Sequence, residues 1–69
     1  MRRYVHRSGG CYAVLHEALR EADGAPLVVY QAFDPAAPSA LYGPVWVRPT
    51  SEFHDGRFQE WVPPLVAGA

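Results

Sequence analysis

The chain has no lysine. Its six basic residues are all arginines, set against seven acidic ones for a net charge of −1. A general nucleic-acid binder needs a basic footprint, and this balance does not supply one. Cysteine is almost missing as well: Cys11 stands alone, which excludes an internal disulfide and a cysteine-based metal cluster. No apolar run approaches the roughly 20 residues that a membrane span needs, and no apolar signal core follows Met1-Arg2-Arg3. Gly9-Gly10 lacks the spaced glycine or lysine of a phosphate loop. Ser8, Ser39 and Ser51 sit in no nucleophile elbow. His6, His16 and His54 match no metal-ligand spacing. The expectation is a cytoplasmic protein with no catalytic residues, no metal and no cofactor.

What the sequence does have is apolar and aromatic residues, 49% and 13% of its 69 positions. That suffices for one small core in one domain, with thin net stability. Leu27-Val28-Val29-Tyr30-Gln31-Ala32-Phe33 is the longest apolar run without a breaker. Gly24 and Pro26 precede it and Asp34-Pro35 ends it, so it reads as a buried central strand. Tyr4-Val5-His6 is a short first strand or arm, and Ser8-Gly9-Gly10 a turn. Cys11 to Glu21 supports two readings. Tyr12, Leu15 and Leu19 suit a helix face, while Ala13, Leu15 and Leu19 alternate with Val14, His16 and Arg20 as in a strand. Asp23-Gly24 then makes a tight hairpin connection.

Asp34 to Gly43, with prolines at 35 and 38, reads as a mobile loop. Val45-Trp46-Val47-Arg48 is the next strand, stopped by Pro49. Thr50 to Phe53 is a single helical turn with Thr50 as its cap. His54-Asp55-Gly56 is a second turn, and Arg57 to Trp61 a last strand. The expected fold is mostly β: about five short strands and one helical turn, rolled into a small barrel. The ordered core spans 4–61, and residues 62–69 form a tail. The apolar stretch Trp61 to Val66 would pack back on the barrel or onto a second copy, giving a homodimer.

Three strings carry a resemblance to a known family. They are Gly10-Cys11-Tyr12-Ala13-Val14-Leu15, Leu27-Val28-Val29-Tyr30-Gln31-Ala32 and Trp46-Val47-Arg48-Pro49 with Phe53 following; Arg57-Phe58 matches the family's closing Arg-Phe. In this order they resemble the small bacterial family called domain of unknown function 1653, over most of residues 4–61. The resemblance implies an SH3-like β-barrel, and with it a strand for Cys11 to Glu21. The link at Asp34 to Gly43 is longer than the family's, and the segment from Phe53 to Arg57 shorter. The family brings no assigned activity and so no catalytic residues.

The candidate partner-binding residues are Tyr30, Gln31, Trp46 and Arg48. Alternation places Trp46 and Arg48 on one face and Val45 and Val47 on the other. With the valines inside, the indole and guanidinium point outward, suited to stacking on a ring or pairing with a carboxylate or phosphate. The bland alternative has Trp46 covering the barrel while Arg48 pairs with Glu17 or Glu52. Gln31 must be hydrogen-bonded if buried, by fixing a loop or facing a pocket. Tyr30 lines a groove with Trp46 or belongs to the core. Cys11 and His16, five apart on a strand, point to opposite faces and form no nucleophile–base pair. The functional expectation is a non-catalytic module binding a protein or peptide. An enzyme accessory or small-metabolite binder with a pocket near Gln31 and Arg48 is the alternative, and weak RNA contact a third.

Overall fold

The computed structural model describes residues 1–63. Five strands form one antiparallel sheet: β1 (Arg3–His6), β2 (Cys11–Leu19), β3 (Pro26–Asp34), β4 (Ala37–Pro49) and β5 (Phe58–Glu60). A single helical turn, α1 (Thr50–Phe53), links β4 to β5. The sheet order is β4-β3-β2-β1-β5, so the longest apolar run, β3, pairs on both sides. The mostly β fold with one short helix is the one expected. The sheet does not close, however. β4 and β5 occupy its two edges and are not paired with one another. β5 has only three residues and pairs with β1 alone, which leaves too little strand to complete a barrel.

β2 is a strand over Cys11–Leu19. Helical propensity yields here because the segment is paired on both sides, with β1 and with β3. The register slips between Val14 and His16, so Leu15 is the extra residue of a bulge. One consequence corrects the sequence reading: the slip turns His16 onto the face of Cys11. They remain five residues apart along the strand, roughly 16 Å at ~3.3 Å per residue, so they still do not meet.

The segment from Asp34 to Gly43 is a correction too. It is not an extended loop: Asp34 and Ala37 already pair, and Leu41 and Tyr42 continue the ladder opposite Phe33 and Ala32. Asp34 Oδ1 accepts from the Ala36 amide at 2.9 Å and fixes the turn. Pro38 and Pro44 are tolerated because β4 is an edge strand, where a missing donor costs no ladder bond. Gly43, at φ +75°, and Pro44 form a bulge between the Tyr42 and Val45 pairings. Pro49, not Thr50, precedes α1, and no side chain caps it.

The sheet has an inner and an outer apolar cluster. On the inner face Val14, Val28, Tyr30, Phe53 and Phe58 are buried together, with Tyr4 and Tyr12 packed against them. Phe53 is the contribution of α1. It lies 5.0 Å from Tyr4, 5.4 Å from Tyr30 and stacked on Phe58 at 4.1 Å, centroid to centroid. On the outer face Phe33 is fully buried under Trp61, at 5.0 Å. The Arg3 guanidinium covers the same ring at 5.6 Å. Trp61 therefore packs back on the sheet, while Val62 is exposed and Pro64 to Val66 lie outside the described residues. Among the described residues no helix is long and apolar enough to cross a membrane.

Candidate ligand cleft on the inner face

Register decides what β4 shows to the inner face. Tyr30 is opposite Trp46, and Val28 opposite Arg48. Val28 and Tyr30 are buried core residues, so Trp46 and Arg48 point inward. Val45 and Val47 point outward and are more than half exposed. This inverts the orientation expected from hydrophobicity. Beyond β4 the sheet ends, so inward positions on β4 line an opening instead of filling a core.

That opening is a cleft of ≈ 260 Å³. Tyr30, Trp46 and Arg48 form one side of it, from β3 and β4. Tyr12 of β2, His6 of β1, Phe58 of β5 and Ser8 of the β1–β2 turn complete it. Tyr12 and Phe58 meet Tyr30 edge-on at 5.4 and 5.6 Å, forming an aromatic floor. Trp46 is 49% exposed at the rim.

Arg48 is held by three contacts. Its Nε donates to the Tyr30 hydroxyl at 3.3 Å, and the guanidinium lies over Phe58 at 5.8 Å. NH1 is 3.7 Å from Glu52, one helical turn on, as one of the two pairings anticipated. Glu17 pairs instead with Arg2, at 2.6 Å. Hydrogen bonding to Tyr30 raises the Arg48 pKa, burial opposes it, and the charges of Tyr30, Glu52 and Asp55 add to the rise. Arg48 is therefore cationic at every working pH. Its NH2 end has no partner among the described residues.

Gln31 is not in this cleft. It points to the outer face, where its Nε2 donates to the Gly43 carbonyl at 2.8 Å. That bond spans the bulge and fixes the register of β4, leaving the amide engaged in structure.

A family model described as Protein of unknown function (DUF1653) matches residues 2–63. The chain belongs to this family. No curated protein and no solved structure matches it. The family carries no activity to transfer, so the residues must speak for this member. Sequence reasoning passed over His6, Ser8, Tyr12 and Phe58 as cleft residues. Each comes from a different piece of the sheet, and no string in the chain joins them. Alternation places Tyr12 with Val14 and Val28 with Tyr30; that the two sets share one face follows only from the β2–β3 pairing.

The turn that carries Ser8 is tightly built. The Ser8 amide donates to His6 Nδ1 at 3.1 Å, and the Ser8 hydroxyl is 2.7 Å from the same nitrogen. With Nδ1 an acceptor, neutral His6 keeps its proton on Nε2. Gly10 lies against the Tyr12 ring: a Cβ there would sit 2.9 to 3.2 Å from ring atoms. A side chain at position 10 would thus push a wall of the cleft. Among the described residues no cluster of His, Cys, Asp and Glu is able to hold a metal.

Proposed function

We propose that this member of the family is a non-catalytic binding module whose ligand seat is the inner-face cleft. The observation that carries this reading is Trp46. A large indole stands half exposed at the rim of an aromatic-floored opening, with a permanent cation, Arg48, on the same wall. Aromatic residues with one or two fixed polar groups are the usual makings of a binding site. β4 is an edge strand, which suits a protein or peptide occupant as well as a small molecule.

The enzyme reading draws on one observation, the Ser8 hydroxyl 2.7 Å from His6 Nδ1. The same nitrogen accepts the Ser8 amide, which is how a two-residue turn is locked, and among the described residues no carboxylate orients the ring. Arg2, Arg20, Arg48 and Arg57 are each paired with an acidic residue. This leaves no continuous basic stripe on the described residues and puts RNA contact behind.

A fragment screen followed by backbone amide shifts tests the proposal. Hits are expected to move Tyr12, Tyr30, Trp46 and Phe58 together. Trp46→Ala should weaken them at least about tenfold, the loss of one good aromatic contact, while the melting curve stays cooperative. Hits that bind Trp46→Ala as well as the parent would remove the cleft from consideration. So would a Trp46→Ala protein that simply melts, because the indole would then be core.

A further inference from the structure

The cleft has a chemical bias that its shape alone does not convey. We infer that it takes a single carboxylate carried on an aromatic body: an arylalkanoic acid, or the free carboxyl end of a peptide finishing in an aromatic residue. The inference rests on the reading of the cleft as a ligand seat.

Polarity comes first. None of the polar side chains lining the cleft is a carboxylate or an amide, and all but Ser8 have a donor to offer. Arg48 has its unpartnered NH2 end. The Tyr30 hydroxyl accepts from Arg48 Nε, so its own proton is free to be given onward. Tyr12 carries a hydroxyl, and His6, accepting from the Ser8 amide and hydroxyl at Nδ1, keeps Nε2–H as donor. Such a lining is complementary to an acceptor-rich group. A cationic ligand is disfavoured for a second reason. Aromatic walls attract cations, but the Phe58 face is already occupied by the Arg48 guanidinium. The protein's own arginine fills the cage, and a second cation would meet it as a like charge.

Charge then selects among anions. The lining contains one fixed cation, and Glu52 at 3.7 Å already neutralises part of it. Arg57, the next arginine along, is held by Asp55 at 3.0 Å and Glu52 at 3.5 Å. One partly shared positive charge balances a carboxylate; it leaves a phosphate dianion in excess. Size and surface select the body. At ≈ 260 Å³ the cleft lies below the ~300 to 1,000 Å³ usual for drug-sized ligands, which leaves room for one ring system on a short arm. Tyr12 and Trp46 offer that ring edges and faces.

Three congeners of one size separate the outcomes: indole-3-acetate, indole-3-acetamide and tryptamine, titrated against the whole chain with amide shifts as readout. The expected order is acid, then amide, then amine, with the acid about tenfold tighter than the amide, as one charge-assisted pair gives. Arg48→Gln should bring acid and amide to equal affinity; Arg48→Lys should keep part of the preference. If Arg48→Gln fails to fold, the order of the three in the parent protein still decides. Acid and amide binding equally in the parent cleft would overturn the carboxylate and leave the cleft reading standing. Tryptamine or inorganic phosphate binding tighter than the acid would also overturn it. If none of the three moves a cleft resonance, the carboxylate inference falls, and the wider fragment screen decides the cleft reading separately. A tripeptide Gly-Gly-Phe, with its C-terminus free or amidated, compared with phenylacetate identifies the source. A free peptide preferred over both points to a protein end, and phenylacetate preferred to a free acid.

Discussion

The two faces of this sheet solve the same problem differently. The inner face gathers Tyr4, Tyr12, Tyr30, Phe53 and Phe58 into one aromatic cluster, sealed below by α1 and left open at Trp46. The outer face has one fully buried ring, Phe33, closed by Trp61 and by Arg3. Both faces end on an arginine over a phenylalanine ring. Arg48 keeps a free end at an opening. Arg3 does not: its Nε is buried without a partner, and its NH2 donates to the Pro38 carbonyl at 3.5 Å. The same residue type in the same stacked pose is a lining group on one face and a cover on the other. What separates them is the cover. Trp61 and the Pro38 carbonyl close the outer site around Arg3, whereas Arg48 lines an opening beside half-exposed Trp46.

The largest test of this contrast compares two equally buried rings. Phe53 meets Tyr4, Tyr30 and Phe58, whereas Phe33 meets Trp61 and Arg3. Phe53→Ala should cost near the top of the ~3 to 5 kcal/mol range for core Phe→Ala changes, and Phe33→Ala near the bottom. Against a small domain's stability of about 5 kcal/mol, the first leaves little folded protein in a urea titration. Equal costs would mean that the outer cluster is as much a core as the inner.

A smaller effect is expected at Arg3. Its guanidinium has been taken from water at Nε with no hydrogen bond in return, a cost that a flexible apolar chain avoids. Arg3→Met should therefore leave stability unchanged or raise it by up to ~1 kcal/mol in thermal melts. A loss larger than that would mean that the charge itself holds the outer face. The smallest effect lies at the β2–β3 tip, away from both faces. Hydrogen bonds from Arg20, and then from the Ala25 amide, lower the Asp23 pKa below its ordinary 3.8. A carboxyl depressed on folding adds stability above its unfolded pKa and loses it as pH falls through the folded one. The parent should thus be slightly the more stable at neutral pH. The urea midpoints of parent and Asp23→Asn should converge as the pH drops below 3.8. A gap that widens with acid would contradict the sign.

Much of the fold was readable because it depends on local pattern. The unbroken run of β3, the Asp-Gly turns at 23–24 and 55–56, and the helical turn Thr50–Phe53 depend on neighbouring residues, and each stands where it was expected. The strings that resemble the family lie inside the matched span. Cys11 to Glu21 stayed ambiguous because its residues satisfy both periods, and pairing with β1 and β3 resolved it. The Asp34 to Gly43 segment was misread because proline forbids a central ladder but not an edge, and edge or centre is a property of strand order.

The candidate site divides along the same line. Sequence by itself determined that Trp46 and Arg48 share a face opposite Val45 and Val47, since side chains on a strand alternate. It could not determine which face is inside. Tertiary structure decided that, by pairing Trp46 with Tyr30 and folding α1 under the same side. It also moved Gln31 to the outer face and brought in His6, Ser8, Tyr12 and Phe58. The physical reason is that alternation is a local relation of period two, whereas inside and outside are set by which strands stand beside one another and where the sheet stops.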